Sequence, residues 1–427
     1  MDVYFKEDFL HYIWKYRLYK ISDLYTTDGE YIQILKTGEN NLNSGPDFFN
    51  AKIKIDDTVW AGNIEIHIKS SDWIKHNHNK DENYNNIILH VVFINDNDIL
   101  RLNGEKIPCL ELKNYISLEL HNNYKNLLFS YKKVPCENNI KNIDNIILRN
   151  WIDRLLVERI ELKTKDIEQT LTGNNFNWEE TLYYLMAKGF GIKINQLPFE
   201  LLAKSVSLKV IAKHKDSHFQ IEAMLFGQAG MLNQTFNDLY AQQLFKEYLY
   251  LKQKFNLIPL NNNIWSFSKL RPPSFPTIRI SQFAALIFKS NALFSKIINS
   301  NSYEEIYNLL NVKSSEYWAN HYDFDKKSKR CRQNIGEETI NSLIINVIVP
   351  IFFIYGKLKD DKKYIDKSLE LLEFIPSENN SIIKYWSKIL NKKFIYCFES
   401  QAIIQLYNNY CLKKRCLECS IGVNLLK

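Results

Sequence analysis

Apolar residues follow two different periods along this chain, and the place where the period changes divides it. After Tyr4 the first ~15 residues fit an amphipathic helix, with Phe9, Ile13 and Trp14 on the face that would meet a core. From Tyr31 the period becomes two. The stretches YIQIL, FFNAKIKI, NIEIHIK, IILHVVFI and IPCLEL each read as strands, with Gly, Asn and Asp between them. The first three are joined too tightly for a helical crossover, so they are expected to pair antiparallel. A helix followed by closely spaced strands makes residues 1–132 an α/β domain around one sheet.

The polar stretch VPCENNIKNIDN, from Val134, marks the boundary, and beyond it the period is helical. NWIDRLLVERIELKTKDIEQTLTG predicts one long helix with Gly173 just past its end. NWEETLYYLMAKGFG opens with Asn177 as N-cap and Glu180 three residues on, a capping-box arrangement. QIEAMLFGQAGML, ISQFAALIFKSNALFSKII, EETINSLIINVIVPIFFIYG and FESQAIIQLYNNYCLKK continue the pattern, and RPPSFP at 271–276 breaks it. No repeat of fixed period appears. Residues 133–427 are therefore expected to form a larger all-α domain.

Composition narrows the class without naming a function. Hydrophobic residues make up 45% and charged residues 24% of the 427, as in ordinary globular proteins. A net charge of +7 over this length permits a nucleic-acid partner but does not argue for one, since binding needs a local patch. The apolar run LIINVIVPIFFIYG carries Asn346 and Pro350 and is shorter than a membrane span, so a buried helix is expected and no membrane partner. MDVYFKEDFL places acidic residues where a secretion signal would be basic, and the Cys count is an odd seven. Both point to a cytoplasmic protein whose thiols are reduced or bound to metal.

Chemistry concentrates around GNIEIHIKSSDW. In a strand, Ile64, Ile66 and Ile68 share one face, while Asn63, Glu65, His67 and Lys69 line the other. An alternating strand with a polar outer face is also how a half-exposed strand looks. Upstream, SGPDFFNAKIKI puts Asp47 immediately before the neighbouring strand, where hairpin pairing can bring it towards Glu65. Two carboxylates at a sheet edge are the hard oxygen ligands that Mg²⁺ or Mn²⁺ needs. Four of the nine histidines, His67, His76, His78 and His90, fall within this strand, the loop SSDWIKHNHNKDENY and the next strand, with Asp72 and Asp81 among them. Imidazoles with a carboxylate would instead suit Zn²⁺. His90, inside IILHVVFI, reads as a hydrogen-bonded core histidine.

GPD, a hairpin and EIH together resemble the PD-(D/E)XK nuclease superfamily. That resemblance implies a restriction-endonuclease-like mixed sheet: a helix, three antiparallel strands, another helix and a further strand. It implies that Asp47 and Glu65 are catalytic metal ligands and that Glu7, on the first helix, is a third. His67 stands at the lysine position of the motif, and Lys69 lies one pleat further along the same face. The wider chain, through GPDF, GNIEIHIKSSDW, HNH, ILHVV, EAMLFGQAG, RPPSFPTIR and its cysteine-containing end, resembles an uncharacterised bacterial family, a domain of unknown function.

Two further features carry chemistry. Cys411, Cys416 and Cys419 have the spacing C-x4-C-x2-C, and with Cys397 upstream they could form a zinc or iron–sulfur site, or remain plain thiols. Lys326, Lys327, Lys329, Arg330 and Arg332 crowd the segment DKKSKRCRQ, either as a solvated loop or as a phosphate-binding patch. EAMLFGQAG, with two Gly, reads as close helix packing, because it does not follow a strand as a phosphate loop would. The leading expectation is a metal-dependent nuclease or phosphodiesterase, with His67 and Lys69 orienting water or phosphate. The alternatives are a non-catalytic nucleic-acid-binding or assembly protein with a degenerate nuclease core, and a zinc hydrolase built on the histidines.

Overall fold

The computed structural model describes residues 6–41, 43–329, 331 and 333–426, and the chain divides into two compact units. The first comprises Met1–Trp151, Lys388–Asn391 and Leu406–Lys427, and the second Ile152–Ser387 and Lys392–Gln405. The division lies beyond the polar stretch at Val134, and the C-terminal segment returns to the first unit. Within that unit Lys414 Nζ donates to the carbonyl of Leu128 at 2.8 Å. A return of this kind leaves no periodic signal in the sequence, which is why the expected boundary at 132/133 differs.

The first unit opens with helix α1 (Glu7–Tyr16), which buries Phe9, Leu10, Ile13 and Trp14. Seven strands follow in one sheet: β1 (Leu24–Tyr25), β2 (Tyr31–Lys36), β3 (Glu39–Asn40), β4 (Phe48–Ile55), β5 (Thr58–Lys69), β6 (Ile87–Ile94) and β7 (Cys109–Glu111). Their order is β1-β2-β4-β5-β6-β7, with β3 added to β4. β2, β4 and β5 form the expected antiparallel run. β6 then runs parallel to β5, and β7 parallel to β6, so the sheet is mixed. The link from β5 to β6 contains the single helical turn α2 (Asp72–Lys75) and two 3-10 turns. The link ends where β5 and β6 press together: a Cβ on Gly62 would lie 2.5 Å from the Ile88 side chain. Helix α3 (Leu118–Leu128) completes the unit's early elements, its N-terminus capped by the Ser117 side chain.

The second unit is mostly helical. One feature departs from an all-α arrangement: His321–Asp323 pairs with Lys326–Lys327 as a two-stranded hairpin. Asn177 caps the helix Trp178–Phe190 by accepting the Glu180 N–H at 3.1 Å. The reciprocal half of that box is diverted, since the Glu180 carboxylate accepts from the N–H of Leu208. The long helix (Asn145–Gly173) has Gly173 as its last residue; Asn175 and Phe176 take the left-handed conformations, and Phe176 N–H closes the end on Leu171 O. In EAMLFGQAG, Gly227 lies against the Tyr248 ring, where a Cβ would come within 2.0 Å. Glu222 of the same stretch is fully buried, accepting hydrogen bonds from Tyr240, Ser281, Ser315 and Trp318. The apolar run at Leu343 belongs to the helical stretch Glu337–Lys359, long and apolar enough to cross a membrane, with 78% of its most apolar window buried inside the protein.

Candidate functional site: interlocked carboxylates and a histidine cluster

Asp47 is delivered to β5 by an irregularity in β4. Phe48 pairs with Ile64 but Ala51 with Gly62, so β4 carries a bulge, and Asn50 within it has φ +54°. A bulge bends its strand and re-aims the side chains beside it. The turn before β4 is held by Asn41, whose amide donates to the carbonyls of Ser44 and Pro46 and whose N–H donates to Asp47 O at 2.7 Å. The outcome is a reciprocal pair. Asp47 N–H donates to Glu65 Oε2 at 3.2 Å, and Ile66 N–H donates to Asp47 Oδ2 at 2.9 Å.

The middle of the polar face of β5 is not wet. Glu65 is 4% exposed and His67 is fully buried, because the β5–β6 loop folds over them. Trp73 anchors that loop in a small core with Tyr84, Ile87, Ile99 and Ile107. Ser70, also buried, accepts the N–H groups of Asp96 and Asn97 and fixes the loop's start. Asn77, with φ +60°, turns the chain between His76 and His78 so that both imidazoles face back towards β5. His78 stacks on Tyr84 with ring centroids 3.8 Å apart.

Around the carboxylate pair, two ligand sets meet. On one side, His11 of α1 places Nε2 3.2 Å from Asp47 Oδ2 and 3.8 Å from Glu7 Oε1. On the other, His78 Nε2 lies 3.1 Å from Glu65 Oε1, and His67 Nε2 lies 3.7 Å from the same oxygen. His67 also contacts His76 (Nε2 to Nδ1, 3.1 Å) and His90 (Nδ1 to Nε2, 2.8 Å). The ligand atoms of His67, His76 and His78 all lie within 4.8 Å of one another, as do those of Glu7, His11 and Asp47. Glu65 lies between the two sets.

Electrostatics favour the neutral forms of Glu65 and of the buried imidazoles beside it. Burial, with Asp47 alongside, pushes the Glu65 carboxyl up to about 9. Burial also lifts Glu7 to about 7. His67 is driven down to about 2 by burial and by the imidazoles around it, and His90 to about 3, chiefly by burial. Burial lowers His78 as well. For His11, burial works against its charge, but Asp47 and Glu7 outweigh it and the net is upward. Neutral imidazoles and a buried carboxyl are donors that could hold a divalent cation. His90 Nε2 sits at hydrogen-bond distance from His67 Nδ1, the place where a ligating histidine would keep its second ring nitrogen partnered.

The expected residues fare differently. Glu7, Asp47, Glu65 and His67 are brought together, but His67, held neutral, is no substitute for a lysine cation. Lys69 is not in the group: it is exposed at the end of β5, and its N–H donates to Asp72. Asp72 pairs with Lys75, and Asp81 caps a 3-10 turn. His11 was missed; its only signal is the i, i+4 spacing from Glu7 on one helix. Lys326, Lys327 and Lys329 are exposed on the second unit's hairpin, with Lys326 bound to Asp323 at 2.7 Å, while Arg330 and Arg332 lie outside the described residues. Cys397 belongs to the second unit, where Glu378 and Lys163 act on it. Cys411, Cys416 and Cys419 belong to the first unit.

A family model described as "Protein of unknown function (DUF2851)" matches residues 7–381, a span that includes both ligand sets. No curated protein and no solved structure matches the chain. The chain belongs to this family of unknown function, DUF2851.

Proposed function

We propose that the first unit is a metal-dependent hydrolase acting on phosphodiesters, with nucleic acid as the substrate class. The observation that carries this reading is the reciprocal Asp47–Glu65 pair, flanked by Glu7 and His11 on one side and by His78, His67 and His76 on the other. The order α1, three antiparallel strands, a short helical crossover and a parallel strand supports a restriction-endonuclease-like sheet, with the acidic pair where the PD-(D/E)XK resemblance expects it.

A divalent cation held here supplies Lewis acidity to a phosphoryl oxygen and an activated water. The chain's own residues do the rest. Glu65, its proton passed to solvent, and His67, through Nε2 with Nδ1 against His90, would hold the cation, while His11 positions Asp47. The cation we favour is Zn²⁺ or Mn²⁺, because three imidazoles converge. With His67 uncharged and Lys69 exposed, neutralising a phosphate would be the chemistry a bound cation supplies.

The test is metal content by elemental analysis, followed by cleavage assays on single- and double-stranded DNA and RNA with Zn²⁺, Mn²⁺ or Mg²⁺. Stoichiometric metal with cleavage that vanishes in Glu65→Gln supports the reading. Binding of nucleic acid with no turnover under any metal moves the assignment to a non-catalytic binding protein. Bound zinc with turnover only of other esters or amides moves it to a different hydrolase.

A further inference from the structure

A cavity of 530 Å³ lies within the first unit, between the end of α3, the segment 130–139 and the C-terminal helix Ser420–Leu426, which packs on α3. Its lining is mixed. Leu127, Pro135 and Leu425 give it an apolar part, and the side-chain amides of Asn123, Asn126, Asn138 and Asn139 a polar one. Small-molecule sites span roughly 300–1,000 Å³, so the space admits a heterocyclic base with its sugar. Tyr131 also lines it, and this side chain is fully exposed, leaving its ring face open to a planar ligand.

Charge selects the ligand. Lys132 lines the cavity, and Lys125 and Lys133, both exposed, are neighbours in sequence of lining residues. Lys414 is tied to the end of α3 through the carbonyl of Leu128 at 2.8 Å. Among the described residues no carboxylate lines the cavity, and Glu137 beside it is bound by Lys132 at 3.1 Å. A neutral ligand has no use for these lysines, whereas a phosphodiester chain does. Amides carry both donors and acceptors, as base edges do, and a tyrosine face stacks on a base of any sequence. The cavity also adjoins the helix that carries two candidate metal ligands. Tyr124, between Asn123 and Asn126 on α3, stacks on Phe9 of α1 with ring centroids 3.9 Å apart, and Glu7 and His11 flank Phe9 on that helix.

We propose that this cavity binds a base of single-stranded nucleic acid, stacked on Tyr131 and held at its edge by the asparagine amides, with Lys132, Lys133 and Lys414 on the flanking phosphates. A single strand is required, because a base inside a duplex presents no free face to the ring. The choice of polymer rests on the function proposed above, but the binding itself needs no turnover.

The experiment is fluorescence anisotropy of a labelled oligothymidine of about twelve nucleotides, with the full chain and chelator present. Wild type, Tyr131→Ala, Tyr131→Trp and Glu65→Gln are compared, with the matched duplex as second probe. Wild type and Glu65→Gln should bind the single strand alike and the duplex more weakly. Tyr131→Ala should lose affinity by about tenfold, and Tyr131→Trp should keep it. Because Tyr131 is fully exposed, its replacement should leave the unfolding curve unchanged. Wild-type affinity in Tyr131→Ala, no binding by the wild type, or a duplex bound as tightly as the single strand overturns the proposal. Cleavage with metal added is scored separately. Binding of this pattern without cleavage removes the hydrolase reading and leaves the base site, and cleavage with wild-type affinity in Tyr131→Ala does the reverse.

Discussion

Asp47 and Glu65 hold each other through the main chain: Asp47 N–H donates to Glu65, and the N–H of Ile66, next to Glu65, donates back to Asp47. The two carboxylates are therefore fixed by backbone on adjacent strands rather than by flexible side-chain contacts. Such fixing is what a ligand pair requires, because geometry set before the cation arrives costs nothing at binding.

Glu65→Gln keeps the shape of the protonated acid and should leave the fold intact, with unfolding curves close to wild type. Its metal affinity should fall further than the roughly 10–100-fold typical of losing an outer-shell partner. Calorimetric titration with Zn²⁺ and Mn²⁺ reads this directly, and wild-type affinity in the variant would remove Glu65 from the site.

His90→Phe tests the outer partner. The ring is replaced at similar bulk in a fully buried position, but the bond to His67 Nδ1 is lost. Metal affinity should drop by about 10–100-fold while apolar packing persists. An unchanged affinity would mean that His67 does not use Nε2 as a ligand atom.

The pH response of the metal-free protein follows from Glu65. Its carboxyl is raised from 4.5 to about 9, so the folded chain binds the extra proton between those values. The stability it contributes is present below 4.5 and lost as pH rises towards 9. His67 and His90, depressed to about 2 and about 3, contribute stability above 6.5 that is lost on acidification, outside the alkaline window. With chelator present, wild type should therefore lose stability relative to Glu65→Gln between pH 7 and pH 9. A difference that stays flat across that range would contradict a protonated Glu65.

Trp73→Ala removes the anchor under the histidine loop. Emptying this buried site should destabilise the first unit by about 3–5 kcal/mol. It should also weaken metal binding, because His76 and His78 lose their placement over His67. Denaturant titration of the metal-free variant measures the first effect, and metal titration at low denaturant the second. Full metal affinity would show that the loop is held without Trp73.

The sequence by itself determined the elements: α1 with Phe9, Ile13 and Trp14 inward, the five main strands, the antiparallel start of the sheet, and a helical second half. Local periodicity carries that information, because burying one face of a helix or strand needs only the next few residues. It also singled out Asp47, Glu65 and the histidines that follow, residues that the structure brings together. Tertiary structure decided what those residues are to each other. Whether the outer face of β5 is wet depended on the loop that follows it, pinned where Trp73 meets Ile99 and Ile107 from well beyond the next strand's start. His11 joined the candidate site through the docking of α1 against β5, and the return of the C-terminal segment placed Cys411, Cys416 and Cys419 in the first unit and Cys397 in the second. Burial and long-range closure are properties of the whole chain's packing, so no short window of sequence contains them.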